Sequence, residues 1–191
     1  GAATQTIIGN QTFHDVEIDN ANGVNIISDT TSISGEMTLT SGTFTTNNSL
    51  ILVSDASGTG SIAEIPGGAD ITGDVEAQRY INSGATNWHL FTSPINGAKL
   101  SDWNDDFETS GITGSLYPAF PYTGTPWASI YEYDETVLEE VDSGFVAPSN
   151  MSNVISAGSG YWVWCGDSMG GTQSFTIDAT GPINKGDVNM P

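Results

Sequence analysis

The chain has 191 residues, 37% of them hydrophobic, which is enough to bury a sizeable core in one large or two small domains. Its 23 acidic residues face only three basic ones, Arg79, Lys99 and Lys185; a formal net charge of −20 repels phosphate backbones and anionic membrane surfaces and excludes nucleic-acid binding as a function class. With one cysteine and no apolar run of about 18 residues, the sequence supplies neither an intrachain disulfide nor a membrane-spanning helix.

That charge suits a salty medium, in which screening weakens repulsion between carboxylates, and it attracts cations such as Ca²⁺. The chain begins at Gly1 with no initiator Met and no signal peptide, which reads as a processed or excised start. Charged residues make up only 14%, so Ser, Thr, Asn and Gly must supply most of the polar surface.

Helix signals are nearly absent, and the chain reads as all-β. Through residues 1–79 run short apolar pairs at alternate positions: Val16 and Ile18, Val24 and Ile26, Met37 and Leu39, Leu50 and Leu52. Between them fall "NANG", "SDTTSISG", "TSG" and "SDASGTG", so corners recur every 8–13 residues. Slim strands with Gly and Asn at the corners predict a β-solenoid-like stack of rungs, with an ordinary antiparallel sandwich as the other arrangement the spacing allows.

Aromatic content marks a boundary. Of five Trp, six Tyr and seven Phe, only Phe13 and Phe44 precede residue 80. Residues 80–191 therefore read as a second region, an aromatic-rich β-sandwich built from "DVEAQRYI", "NWHLFTSPI", "SIYEYDE", "GYWVWCGD" and "SFTIDAT". "YDETVLEEVD", the nearest thing to a helix, reads as two strand ends around an acidic turn.

In combination, "FHDVEIDNANGVNIISDTTSISGEMTLTSGTFTTNNSLILVSDASGTGSIA", "ITGDVEAQRYI", "NWHLFTSPI", "SIYEYDE", "GSGYWVW" and "TGPINKGDVNMP" resemble a β-rich module of secreted and cell-surface Bacteroidota proteins. The resemblance implies a large exported protein of the type IX secretion kind, extracellular and non-catalytic. It implies no defined ligand. Such proteins usually continue into a sorting domain where this chain stops at "GDVNMP", so the resemblance reads the chain as one module of a longer protein. It also nominates Thr30 in "DTT" and Ser168 in "DSM" as O-glycosylation acceptors, each following an Asp as in the short Bacteroidota motif.

Three constellations carry possible chemistry. In "GSGYWVWCGDSMGG", Tyr161, Val163 and Cys165 share one strand face and Trp162 and Trp164 the other. Two apolar faces suit a strand buried between layers, with a ligand platform as the alternative; a lone thiol far in sequence from His14 and His89 argues against redox work. In "SDWNDDFETSG", Asp102, Asn104, Asp106 and Glu108 alternate as hard oxygen donors for Ca²⁺, or form a solvated acidic surface. Phe107 and Thr113 stand where an EF-hand needs Gly and Glu, so the loop is not an EF-hand. Asp29, Asp55 and Asp70, at rung corners, are weaker ion candidates. The third constellation is the stiff "YPAFPYTGTPW" loop, whose Tyr117, Phe120, Tyr122 and Trp127 are hard to bury and form a candidate ligand platform, with Trp88 and Trp103 as further stacking residues.

No nucleophile elbow, HExxH or clustered His/Cys set is present, and carboxylate pairs such as Asp105–Asp106 and Glu139–Glu140 read as surface. Lys99 and Lys185 read as surface lysines rather than crosslinking groups. The sequence therefore predicts a non-catalytic extracellular structural or interaction module, a stalk, adhesin segment or filament-type subunit. It would contact itself or other surface proteins without inserting into the membrane. The rival is a carbohydrate-binding accessory module, favoured by solvent-facing rings and disfavoured by rings packed inward.

Overall fold

The computed structural model describes residues 1–82, 88–119, 127–138, 141–165 and 174–188. It is nearly all-β. The chain packs as two compact units, Gly1–Tyr80 with Asp178–Gly186, and Ile81–Ile177 with Asp187–Pro191. No helix among the described residues is long and apolar enough to cross a membrane.

The first unit is a β-solenoid-like arrangement of about three turns. Its strands are β1 (Gln5–Ile7), β2 (Gln11–Phe13), β3 (Val16–Asp19), β4 (Val24–Ile26), β5 (Thr31–Ile33), β6 (Glu36–Thr45), β7 (Leu50–Leu52), β8 (Ser54–Asp55), β9 (Gly58–Thr59), β10 (Ser61–Ile62), β11 (Ala69–Thr72) and β12 (Val75–Ile81). Gln5 pairs with Val24, Gln11 with Thr31 and Val16 with Met37, all parallel, so one turn takes about 20 residues. Three parallel ladders result. One stacks β1, β4, the second half of β6, and β11; another stacks β2, β5, β7 and β12; the third stacks β3, the first half of β6, and β10. A further strand, β17 (Phe175–Gly181), lies beside β12.

Period-2 alternation explains the interior. Each strand turns one residue in two inward, and parallel pairing stacks like positions on one another. Val24 stacks on Phe44 and Phe44 on Ile71, while Phe13, Ile33 and Leu52 form a second column. Ile26, Ile33, Met37, Leu39, Phe44 and Leu50 are at most 1% exposed. Corners need short polar residues and left-handed backbone. Asp29, Asn47 and Asn48 adopt positive φ, the conformation that Asn and Asp tolerate best among non-glycines. Asn20, buried at one corner, donates from Nδ2 to the carbonyls of Ala3 and Gly23 and accepts from the Asn22 N–H.

Thr31 is one of the polar residues that break the apolar rule. It is 1% exposed between Gln11 and Leu50 in its column, and its hydroxyl has no protein partner. A buried unpaired hydroxyl costs roughly 1–3 kcal/mol. Thr31→Val, which keeps the shape and removes that hydroxyl, should raise stability by about 1 kcal/mol, seen as a higher urea midpoint at unchanged slope.

The second unit carries a four-stranded antiparallel sheet, ordered β13 (Trp88–Phe91), β16 (Tyr161–Trp164), β14 (Ile130–Tyr133), β15 (Phe145–Val146). Irregular chain supplies its other packing layer. Leu100–Trp103 forms a 3₁₀ turn, and backbone bonds from Leu100 to Asn153, Ser101 to Met151 and Ile155 to Ala98 join two loops into one layer. Ile95, Leu100, Trp103, Ile112, Met151 and Ile155, each at most 2% exposed, form its buried apolar part.

Candidate functional site

Antiparallel register fixes which side chains share a face of this sheet. Trp88 lies opposite Trp164, Leu90 opposite Trp162, Tyr131 opposite Trp162, and Tyr133 opposite Phe145, so these seven residues share one face. His89, Val163 and Ile130 share the other, with Phe91 and Tyr161 beside them.

The two faces differ sharply in exposure. Ile130, Val163 and Cys165 are fully buried, and Tyr161 nearly so. Trp103 packs edge-on against Phe91 and Tyr161 from the irregular layer, with Phe107 next to it. On the opposite face Leu90 is 70% exposed, Tyr133 47% and Phe145 36%, while Trp88, Tyr131, Trp162 and Trp164 are half-buried. Trp127, 38% exposed and arriving from outside the sheet, joins them.

The rings hold one another. Trp88, Trp127 and Trp164 are pairwise edge-to-face with centroids 5.4–5.7 Å apart. Trp88 also lies 5.8 Å from Tyr131 and 6.1 Å from Trp162, the latter nearly parallel at 14°. Phe145 bridges Trp162 and Tyr133. Edge-to-face contacts place the positive rim of one ring against the negative face of the next. Trp88, touching four neighbours, is the hub.

This revises several expectations. Strand "YWVW" is buried on one face only; its tryptophan face is half open to solvent. Trp103, expected as a stacking residue, is 2% exposed and belongs to the interior, because its 3₁₀ turn aims it at the sheet's buried face. Trp127 does sit at an exposed aromatic surface, and so does Trp88. Tyr117 is exposed but serves another group, its hydroxyl donating to Glu108 Oε1 at 3.1 Å. That bond to a carboxylate holds the Tyr117 phenol above its ordinary range. Phe120, Tyr122, Ser168 and the Glu139–Glu140 pair lie outside the described residues. Tyr131, Tyr133 and Phe145 belong to none of the three constellations the sequence offers; strict alternation in "IYEY" is the signal that marks the first two.

The acidic loop does not gather its oxygens. Asp102 Oδ2 accepts from the Lys99 N–H at 2.8 Å, capping the 3₁₀ turn. Asn104 accepts from the Thr109 hydroxyl and donates to the Gly114 carbonyl. Glu108 takes the Tyr117 hydroxyl. Asp106 stays near the turn, its N–H reaching Trp103 O at 3.4 Å. Among the described residues no three His, Cys, Asp or Glu side chains converge as a metal site would require. Of the corner acids, Asp55 accepts the Ser57 and Gly58 N–H groups in the β8–β9 hairpin, and Asp70 pairs with Lys185 at 2.7 Å. The hydrogen bond from Lys185 holds the Asp70 carboxyl below its ordinary range. Thr30 is a half-buried corner residue whose N–H donates to Asn10 Oδ1 and whose carbonyl accepts from Gln11.

Cys165 is a free cysteine, fully buried. Burial pushes its thiol up to about 12, so it stays protonated and unreactive over the physiological range. A raised folded value means the thiol adds stability that is whole below about pH 9 and is lost as pH rises toward 12. Cys165 should resist thiol reagents at pH 8 in the native protein and react fully in denaturant.

No protein-family model, curated protein or solved structure matches this chain.

Proposed function

We propose that this chain is a non-catalytic interaction module of an exported, surface-associated protein, of the Bacteroidota kind its segments resemble, and that it acts by contact through the aromatic face of its second unit. One observation carries the reading. A chain with a net charge of −20 leaves Leu90, Trp127, Tyr133 and Phe145 more than a third exposed on one surface, around a nest of three further tryptophans. Contiguous exposed apolar patches mark interaction sites, and Trp and Tyr are the side chains that dominate binding energy. Stacked parallel strands would supply a protease-resistant spacer, and the acid- and hydroxyl-rich surface keeps it soluble in salt.

The exposure of these rings also favours a second reading, carbohydrate binding, since a pyranose can lay its C–H face on a half-open indole. Both readings predict loss of binding when rings are removed, and they separate by partner. Affinity electrophoresis against soluble neutral polysaccharides, compared with Trp127→Ala, tests the glycan. Light scattering of the purified chain, with Ca²⁺ and with chelator, tests self-association. Retardation lost in Trp127→Ala supports the glycan reading, and oligomers lost in that variant support contact between proteins. A monomer that no polysaccharide retards and no surface protein binds would overturn the proposal.

A further inference from the structure

The chain contains two Asn–Gly pairs, Asn22–Gly23 and Asn96–Gly97. With no Cβ on the glycine, its amide nitrogen can reach the side-chain carbonyl carbon of the preceding asparagine. That nitrogen attacks only when it is exposed, free of hydrogen bonds and able to turn. The fold treats the two pairs in opposite ways.

Asn22–Gly23 is locked. The Gly23 N–H donates to the Asn20 carbonyl at 2.7 Å, and the Gly23 carbonyl accepts from the Gln5 N–H and from Asn20 Nδ2. Gly23 is buried, and a Cβ there would stand 2.8 Å from the Thr43 carbonyl oxygen. The Asn22 side chain is held as well, its Nδ2 donating to Gly1 O at 2.9 Å. Attack by the Gly23 nitrogen would require this corner to open first.

Asn96–Gly97 is open. It forms the tip of a turn closed by one long bond, from the Ala98 N–H to Ile95 O at 3.5 Å. Both tip residues are exposed, and among the described residues the Gly97 N–H and the Asn96 side chain have no hydrogen-bond partner. A Cβ on Gly97 would meet nothing within 4 Å. Ile95 and Ala98, 1% and 3% exposed, anchor the two ends, so the tip projects from a fixed base.

We propose that Asn96 is a site of spontaneous deamidation and isoaspartate formation in the folded protein, from which the fold protects Asn22. The Gly97 nitrogen gives its proton to hydroxide and bonds to Asn96 Cγ. The Cγ–Nδ2 bond breaks, and Nδ2 takes a proton from water and leaves as ammonia. A second water opens the resulting cyclic imide. Breaking the bond from the Gly97 nitrogen to Cγ gives an aspartyl residue. Breaking its bond to the Asn96 backbone carbonyl carbon gives the isoaspartyl form, whose main chain runs through Cβ and Cγ. No electrons are transferred, and the sum is amide plus water to acid plus ammonia.

The test incubates the whole native chain at mildly alkaline pH, where hydroxide is available, and follows each peptide by mass spectrometry. The peptide holding Asn96 should gain about 1 Da at least about tenfold faster than the peptide holding Asn22. An isoaspartyl methyltransferase should label the first peptide and not the second. In guanidinium chloride both should react at rates within about threefold of each other, because the shared dipeptide then sets the chemistry. Asn96→Gln, at an exposed position, should keep the fold and abolish the gain. Equal rates in the native protein, an Asn22 that stays slow in denaturant, or a gain that persists in Asn96→Gln would overturn the proposal.

Discussion

Gly42→Ala should cost the solenoid roughly 3–5 kcal/mol, the largest loss from a single methyl anywhere in the first unit. Gly42 sits where β6 leaves one ladder for the next. Its φ is +81°, a left-handed conformation that glycine alone adopts without penalty. An added Cβ would also fall inside the van der Waals surface of the Asn20 carbonyl oxygen. That oxygen cannot give way, because it accepts the Gly23 N–H at 2.7 Å and the Asn20 side chain is fixed to Ala3 and Gly23. Gly9→Ala is the control. Gly9 also has positive φ, +76°, but the nearest atom to its Cβ would be the end of the Gln11 side chain at 3.8 Å. It should cost only the left-handed penalty, about 1–2 kcal/mol. Urea unfolding followed by far-ultraviolet circular dichroism compares the two, and equal losses would refute the steric account.

Gly42 also shows why the solenoid was legible in outline and its period was not. The inward pairs Val16–Ile18 and Met37–Leu39 stack just as their alternation implies, Val16 on Met37 and Ile18 on Leu39. Even spacing failed for two local reasons. Pairing shifts by one residue between Ile18 and Asp19, where β6 bulges before its corner at Gly42. The β8–β9 hairpin then inserts into the third turn, so that Leu50 pairs with Val75 and Gly42 with Ala69, longer intervals than in the first turns. A bulge and an insertion leave the core pattern intact while destroying its periodicity.

In the second unit, strands were legible and their environment was not. "YWVW" is apolar on both faces, and alternation assigns residues to faces without saying which face meets solvent. The contrast comes from the irregular layer, whose Ile95, Leu100, Trp103 and Met151 follow neither a helical nor a strand period and so give no signal before folding. The same blindness hid the fate of the acidic loop. Alternate carboxylates suggested convergence on a cation, but a 3₁₀ turn rather than a ligand loop sends Asp102 and Glu108 to Lys99 and Tyr117.

Trp88→Ala should produce the largest change at the aromatic face: about 2–3 kcal/mol of stability, and at least a tenfold loss of whatever binding the face supports. The stability loss follows from position. Trp88 is half-buried and contacts Trp127, Tyr131, Trp162 and Trp164, so its removal opens a void at the centre of the nest without uncovering the buried interior on the opposite face. The binding loss has a different origin, since the remaining rings would turn into the vacated space and cease to present a fixed surface. Leu90→Ala separates the two effects. Leu90 is 70% exposed on the same face, so stability should stay within about 0.5 kcal/mol of wild type. If the face is the contact surface, Leu90→Ala weakens binding while the melting curve holds still, and Trp88→Ala weakens both. Binding that survives both substitutions would move the interaction elsewhere on the chain and leave the tryptophan nest a purely structural cluster.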